Sequence, residues 1–335
     1  MLQKNNSAVL HGVCDLRYET TLVETPSDDE VLIRVKSCGI CGSDIDRVFK
    51  KGTYHFPTVI GHEFSGEVVF DCENKLFGKR VAVFPLIPCF KCESCKNENY
   101  ATCENYDYYG SRRDGGMTEY IAVKRWNLLL LPDGLSFDEG AMCEPVSVAR
   151  HAALKLNIKN GDNVFITGAG PIGLIVGQWA KLFGASEVYY KDIDERKINF
   201  AEKLGFCEYK KGVRIDCALE GTGFSDALKS CLEAVSPRKR VVFMGNPAGE
   251  INLSQQTYWH ILRKELNVCG TWNSLFGTNE NDWKESLLAM AEGKIDVKPL
   301  ITHKFALSQC NTAFEMMKNK TEFFNKVMLN MGDEK

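Results

Sequence analysis

The sequence has no apolar run that approaches the ~20 residues a membrane-crossing helix needs. Its longest apolar stretches, Leu128 to Leu131 and Gly168 to Val176, fall far short, so no membrane span is expected. It also has no block of like charge. Forty-one Lys plus Arg against 44 Asp plus Glu leave a net charge of -3, which lacks the summed positive field that nucleic acid or an anionic membrane surface calls for. No internal repeat or low-complexity linker interrupts the chain, and 44% hydrophobic with 10% aromatic residues excludes a disordered polymer. The first ten residues carry Gln3, Lys4, Asn5 and Asn6 and lack the apolar core of a secretory signal, which sets the expectation of a cytoplasmic, reducing compartment.

What the sequence does have is length for about two domains, at ~100–200 residues each, and 14 cysteines. In a reducing compartment clustered thiols read as metal ligands or redox groups before disulfides. Cys89, Cys92, Cys95 and Cys103 stand at C-x2-C-x2-C-x7-C, close enough for four thiolates to surround one zinc ion tetrahedrally. An iron–sulfur run has a shorter last gap and a Pro after the fourth Cys, where this chain has Glu104. Such a closed site orders its loop rather than taking part in chemistry.

Three further segments each offer potential ligands: Cys41-Gly42-Ser43-Asp44, Gly61-His62-Glu63 and Cys143-Glu144-Pro145. One thiolate, one imidazole and one or two carboxylates make a mixed site, and a catalytic zinc keeps three protein ligands with one place open. Singly, His62 reads as a satisfied structural histidine and Ser43 as a turn or cap. The combination carries the weight.

Period-2 runs at Val31 to Ser37, Gly66 to Phe70 and Arg80 to Phe84 predict a β body for the first third. After Glu144-Pro145 the texture becomes a βαβ alternation: a helix at Val146 to Leu156, strands at Asn163–Thr167, Glu187–Lys191, Ile215–Leu219, Arg240–Gly245 and Leu266–Thr271, and helices between them. That alternation predicts a doubly wound parallel sheet. The segment from Phe206 to Asp216 is too short for a strand plus a crossover helix, so a rudimentary third strand and a missing helix are expected. The tail from about Asn273 predicts one helix near Trp283 to Glu292 and a last strand near Lys326 to Leu329.

Gly168-Ala169-Gly170-Pro171-Ile172-Gly173 follows a strand and opens a helix, the context in which G-x-G-x-x-G binds a dinucleotide pyrophosphate. Asp192, nineteen residues beyond Gly173, is placed to accept from the ribose diol and so favours NAD over NADP, although Arg196 and Lys197 close behind it leave NADP open. The candidate cofactor contacts are Gly168, Gly170, Pro171, Ile172, Gly173, Asp192, Lys197 and Gly245.

In this order the motifs resemble the zinc-containing medium-chain dehydrogenases along nearly the whole chain. Within them, Gly61–Gly66, Tyr106–Gly116 and Ile261–Leu266 are similar to the galactitol-1-phosphate 5-dehydrogenase branch. The resemblance implies an α/β chain with a GroES-like β-barrel catalytic domain over 1–148 and 274–335, a structural zinc lobe at 86–105, and a Rossmann NAD-binding domain over 149–273. It implies two zinc ions per subunit, the catalytic one on Cys41, His62 and Glu144 with Glu63 as ligand or switching neighbour, an active site in the cleft between domains, and Ser43 accepting the hydroxyl proton. The implied reaction is oxidation of a polyol phosphate, galactitol 1-phosphate to D-tagatose 6-phosphate, with hydride passing to NAD, in a homodimer or homotetramer. An unphosphorylated polyol such as sorbitol, or threonine, is the alternative, and a non-catalytic NAD-binding protein a third. Trp272-Asn273 stands where sorbitol dehydrogenases carry an Arg, and Pro88 where threonine dehydrogenases carry a His. For a phosphate, Lys50, Lys51, Arg112 and Arg113 are the candidate cations and Trp272 and Asn273 further substrate contacts, although each cation equally reads as a solvated surface charge.

Overall fold

The computed structural model describes residues 4–331. The chain divides into two units, one running to Glu144 and resuming at Leu275, the other spanning Pro145–Ser274.

In the first unit the strand Glu30–Ile40 is the spine of a seven-stranded sheet. It pairs antiparallel with Glu63–Phe70, Tyr120–Lys124 and Lys326–Asn330. Its apolar positions Val31, Ile33 and Val35 are completely buried in a core that includes Phe64, Val83 and Phe314. A smaller sheet is made of Lys4–Gly12, Asp15–Leu22 and Thr58–Val59. Its first strand carries polar Asn5 and Ser7 and shows no period-2 apolar pattern to predict it. Both are buried with their polar atoms satisfied: the Asn5 amide donates to Tyr120 O and accepts from Tyr120 N–H, and Ser7 Oγ meets Thr118 Oγ1 at 2.7 Å.

The tail corrects a second expectation. Besides the helix Asp282–Ala291 and the strand Lys326–Asn330 it holds a strand, Ile301–Ala306, and a helix, Cys310–Asn319. The strand is half-buried along most of its length and so shows no apolar alternation, whereas the helix buries Cys310, Ala313, Phe314, Met316 and Met317 on one face.

The second unit is a six-stranded parallel sheet in the spatial order Cys207–Glu208, Glu187–Lys191, Asn163–Thr167, Ile215–Glu220, Val235–Phe243, Asn267–Gly270. Numbered along the chain this is 3-2-1-4-5-6, the doubly wound order. The helix Pro171–Leu182 takes its Pro in the first turn, and Asp194 caps Glu195–Lys203 by accepting from the Arg196 N–H at 3.0 Å. The third strand has only two residues and no helix follows it before Ile215, as the short spacing predicts. The strand expected at Arg240–Gly245 begins earlier, at Val235, directly after the helix Ser225–Ala234; Val235 pairs with Ile215 before a register shift brings Arg240 opposite Cys217.

Candidate active site and metal centres

The four lobe cysteines converge. Their sulfurs are separated by 3.5 Å for Cys92–Cys95, 3.8 Å for Cys89–Cys95 and 4.0 Å for Cys92–Cys103. A tetrahedron with Zn–S bonds of about 2.3 Å has edges of about 3.8 Å, so the donor set fits zinc. The backbone supports it: N–H groups of Lys91 and Cys92 hold the Cys89 thiol down to about 6, while burial pushes Cys95 up to about 12. Four thiolates in such contact need a cation to stay ionised together.

The open site is built where three strands meet. The spine strand Glu30–Ile40 delivers Cys41 at its end, and Glu63 opens the next strand opposite Gly39. Gly61, just before His62, has φ +97° and lies against the loop 106–116: a Cβ on Gly115 would stand 2.1 Å from Gly61 O. Only glycines permit this approach, and it sets Tyr108 beside His62 with ring centroids 5.7 Å apart.

The ligand atoms of Cys41, His62 and Glu63 all lie within 4.8 Å of one another, which suits one metal ion. Glu144 stands outside that group. It is buried at the start of the helix Cys143–Leu156, where burial, with Glu63 and Asp44 nearby, raises its carboxyl to about 7 against the pull of His62 and Lys326. The resemblance implies Cys41, His62 and Glu144 as ligands with Glu63 as ligand or switching neighbour; the group whose ligand atoms converge is Cys41, His62 and Glu63.

Beyond these ligands, Asp44 is fully buried with Oδ1 3.3 Å from His62 Nδ1 and 2.8 Å from Arg47 Nη1. Burial would raise its pKa, but the imidazole and the guanidinium hold it down to about 2. Burial likewise works against a charged His62, yet Asp44 and Cys41 raise its pKa well above the ordinary value. With Nδ1 turned to the carboxylate, Nε2 is the nitrogen left for a metal, which has to displace a proton to bind. Ser43 is exposed and its Oγ accepts from Arg47 Nη1 at 2.9 Å.

A fully enclosed ammonium completes the site. Lys326 opens the last strand, contacts Glu63 Oε2 and donates to Ile40 O at 3.3 Å. Burial disfavours its charge, but Glu63, Cys41 and Glu144 outweigh burial and raise its pKa. Sequence reasoning missed Lys326, Tyr108, Arg47 and the role of Asp44. The one available signal was a lysine heading an otherwise apolar strand.

In the second unit, Gly168 leaves the first parallel strand at φ +94°, and a Cβ on Gly173 would stand 2.1 Å from its carbonyl oxygen. A Cβ on Gly170 would meet nothing in the chain, so glycine there leaves the backbone open to a ligand. Pro171 and Ile172 begin the helix. Asp192 ties the loop to the second strand by accepting from Ala169 N–H at 2.8 Å and Asp194 N–H at 3.0 Å. Each carboxylate oxygen keeps a lone pair, so the loop fits a dinucleotide whose ribose bonds there. Gly245 packs against Thr222 and Gly223, Lys197 is half-buried in the helix that follows Asp192, and Arg196 is paired with Asp194. Ile193, 98% exposed beside Asp192, was also missed.

The candidate phosphate cations separate. Lys50 and Lys51 pair with Asp46, and Arg113 with Glu30 and Asp107. Arg112 lies between the rings of Tyr54 and Tyr106. Trp272, 54% exposed, and Asn273, with φ +56°, belong to the second unit.

Residues 27–133 match the alcohol dehydrogenase GroES-like domain and residues 171–293 the zinc-binding dehydrogenase domain. Galactitol 1-phosphate 5-dehydrogenase of Escherichia coli (strain K12) is 34% identical over 305 residues, covering 85% of this chain and 88% of that protein. L-idonate 5-dehydrogenase of Vitis vinifera is 31% identical over 334 residues, covering 92% and 89%. The crystal structure of galactitol-1-phosphate dehydrogenase from Escherichia coli superposes with a TM-score of 0.90 at 32% identity, covering 97% of this chain and 99% of that one. A GroES-like domain, a parallel dinucleotide-type sheet and a thiolate–imidazole–carboxylate group on one chain thus agree with the comparisons, and the protein belongs to the zinc-binding medium-chain alcohol and polyol dehydrogenases.

Proposed function

We propose that this protein oxidises a secondary alcohol of a polyol phosphate, of the galactitol 1-phosphate to D-tagatose 6-phosphate type, with NAD as hydride acceptor. The convergence of Cys41, His62 and Glu63, backed by Asp44 and Lys326, carries the reading. The 34% identity to a galactitol 1-phosphate enzyme supports its finer part.

Cys41, His62 and either Glu63 or Glu144 would hold the catalytic zinc, and the four lobe cysteines the structural one. When bound, the catalytic ion supplies Lewis-acid polarisation that makes an alcohol hydroxyl acidic near neutral pH. The residues arrange the rest. Asp44 stands behind the His62 ring with Oδ1 3.3 Å from Nδ1, and His62 and Arg47 together keep Asp44 ionised. Ser43 Oγ would relay the substrate's hydroxyl proton, accepting it as its own hydroxyl proton passes on toward the cofactor ribose, with Arg47 donating to the same oxygen. Lys326 Nζ contacts Glu63 Oε2 and so fixes where that side chain lies beside Cys41 and His62. In the second unit the Gly168–Gly173 turn offers backbone N–H groups to a pyrophosphate, Asp192 accepts from the ribose diol, and exposed Ile193 offers an apolar face to the adenine.

A polyol acid is the second reading, favoured by the 31% identity to an L-idonate enzyme. The test is metal analysis followed by NADH absorbance with galactitol 1-phosphate, L-idonate, sorbitol and threonine. Turnover of galactitol 1-phosphate in excess of the others supports the first reading; turnover confined to unphosphorylated substrates sinks it.

A further inference from the structure

The loop Tyr106–Gly116 carries a guanidinium that no carboxylate among the described residues neutralises. Among the described residues, Arg47 is held by Asp44, Lys50 and Lys51 by Asp46, and Arg113 by Glu30 and Asp107. Arg112 has two aromatic faces instead: its guanidinium carbon lies 4.0 Å from the Tyr54 ring centroid and 4.5 Å from that of Tyr106. Its Nε is buried and has no hydrogen-bond partner. Stacking steadies a cation without neutralising it, and the Tyr106 and Tyr54 hydroxyls engage only part of the guanidinium's five N–H donors.

The backbone under this side chain is fixed. Arg112 N–H donates to Tyr108 O at 3.0 Å, and Arg112 O accepts from His55 Nε2 at 3.0 Å. The rings give its place relative to the metal ligands. Tyr106 stands 6.2 Å from Tyr108, and Tyr108 stands 5.7 Å from His62. Arg112 is therefore one aromatic layer beyond the ring that touches His62. The Tyr106 and Tyr108 rings thus stand in series between Arg112 and His62.

We propose that Arg112, clamped between Tyr54 and Tyr106, anchors an anionic group at the end of the substrate remote from the oxidised carbon, a phosphate monoester or a carboxylate. This rests on the polyol reading above and names the residue that selects charged polyols from neutral ones. A planar guanidinium binds either anion through two parallel N–H···O bonds, which a lysine at the same place cannot do.

The test uses the zinc-loaded enzyme with NAD and compares galactitol 1-phosphate, L-idonate and galactitol for wild type, Arg112→Gln and Arg112→Lys, with zinc content as the check on folding. In Arg112→Gln the ratio of kcat/KM for galactitol 1-phosphate over galactitol falls by about 10²-fold, the size expected for lost charge-assisted bonds, and the loss sits in KM rather than kcat. Arg112→Lys recovers part of it. Loss on L-idonate alongside galactitol 1-phosphate identifies a general anion anchor, and loss on one alone identifies which anion it takes. An equal fall on charged and neutral substrates reduces Arg112 to a structural part of the loop, and an unchanged ratio removes it from the site; both overturn the proposal. A wild-type enzyme that oxidises galactitol but neither anionic substrate overturns the polyol-phosphate reading itself, a result distinct from either.

Discussion

Asp44 is completely buried with Oδ1 3.3 Å from Nδ1 of His62. The carboxylate has no contact with solvent and serves the ring from behind, so its effect on chemistry passes through the orientation and basicity of His62. Losing such an outer partner typically costs 10–100-fold in metal affinity or activity. Asp44→Asn keeps the shape and removes the charge, so the enzyme should release its catalytic zinc at about 10–100-fold lower chelator concentration. Zinc content after titration with a chelator, read beside kcat, checks this; zinc retention equal to wild type would show that Asp44 matters only for packing.

Lys326 and Glu63 form a buried ion pair, and removing one member of such a pair costs about 3–5 kcal/mol because the other is left charged and dry. In Lys326→Met the metal-free protein should lose about that much stability. Zinc can replace the missing cation beside Glu63, so the Tm gap between zinc-loaded and chelator-treated protein should widen relative to wild type. Equal gaps would count against Lys326 as a neutraliser of Glu63.

Cys103→Ser leaves three sulfurs in the lobe. Metal stoichiometry should fall from two ions to one per chain, with the Cys41 site still loaded. Loop folding is coupled to that ion, so residues 89–103 should become sensitive to proteolysis while parallel-sheet segments keep their protection in hydrogen exchange.

Arg125 donates to Asp71, which also accepts from Leu76 N–H at 2.7 Å and Glu73 N–H at 3.0 Å. These donors, the guanidinium first, hold the Asp71 carboxyl well below its usual range. A carboxyl whose folded pKa lies below its unfolded value of about 3.9 stabilises the fold above that value. The contribution is lost as pH falls toward the folded value. Asp71→Asn should therefore lower Tm at pH 7 and flatten the loss of Tm on acidification below about pH 4. Parallel wild-type and variant Tm curves across that range would exclude Asp71 as a source of acid sensitivity.

Much of this architecture was legible because its signals are local. Asn163–Thr167, the glycine turn and the Asp194 cap are each encoded within a few neighbouring residues. The lobe was legible for the same reason, since its four converging cysteines share one loop. What escaped depends on partners far away in sequence. Lys4–Gly12 gave no periodic signal, since its buried Asn5 and Ser7 are polar; they are satisfied by Tyr120 and Thr118 more than 100 positions later. Lys326 is a charged residue heading an apolar strand; it is buried with Glu63, some 260 positions earlier, beside it. That Glu63 lies beside Cys41 and His62 depends on strand register, which is a property of the assembled sheet.

The two-residue strand Cys207–Glu208 has a consequence beyond the trimmed crossover. It forms one margin of the parallel sheet, and a margin is where unpaired N–H and C=O groups can recruit another chain. A margin two residues long offers almost no template. The shortening that deleted a helix therefore also blunts that side of the sheet against self-association, so lengthening this strand by insertion should make the protein more prone to aggregate before it makes the sheet more stable.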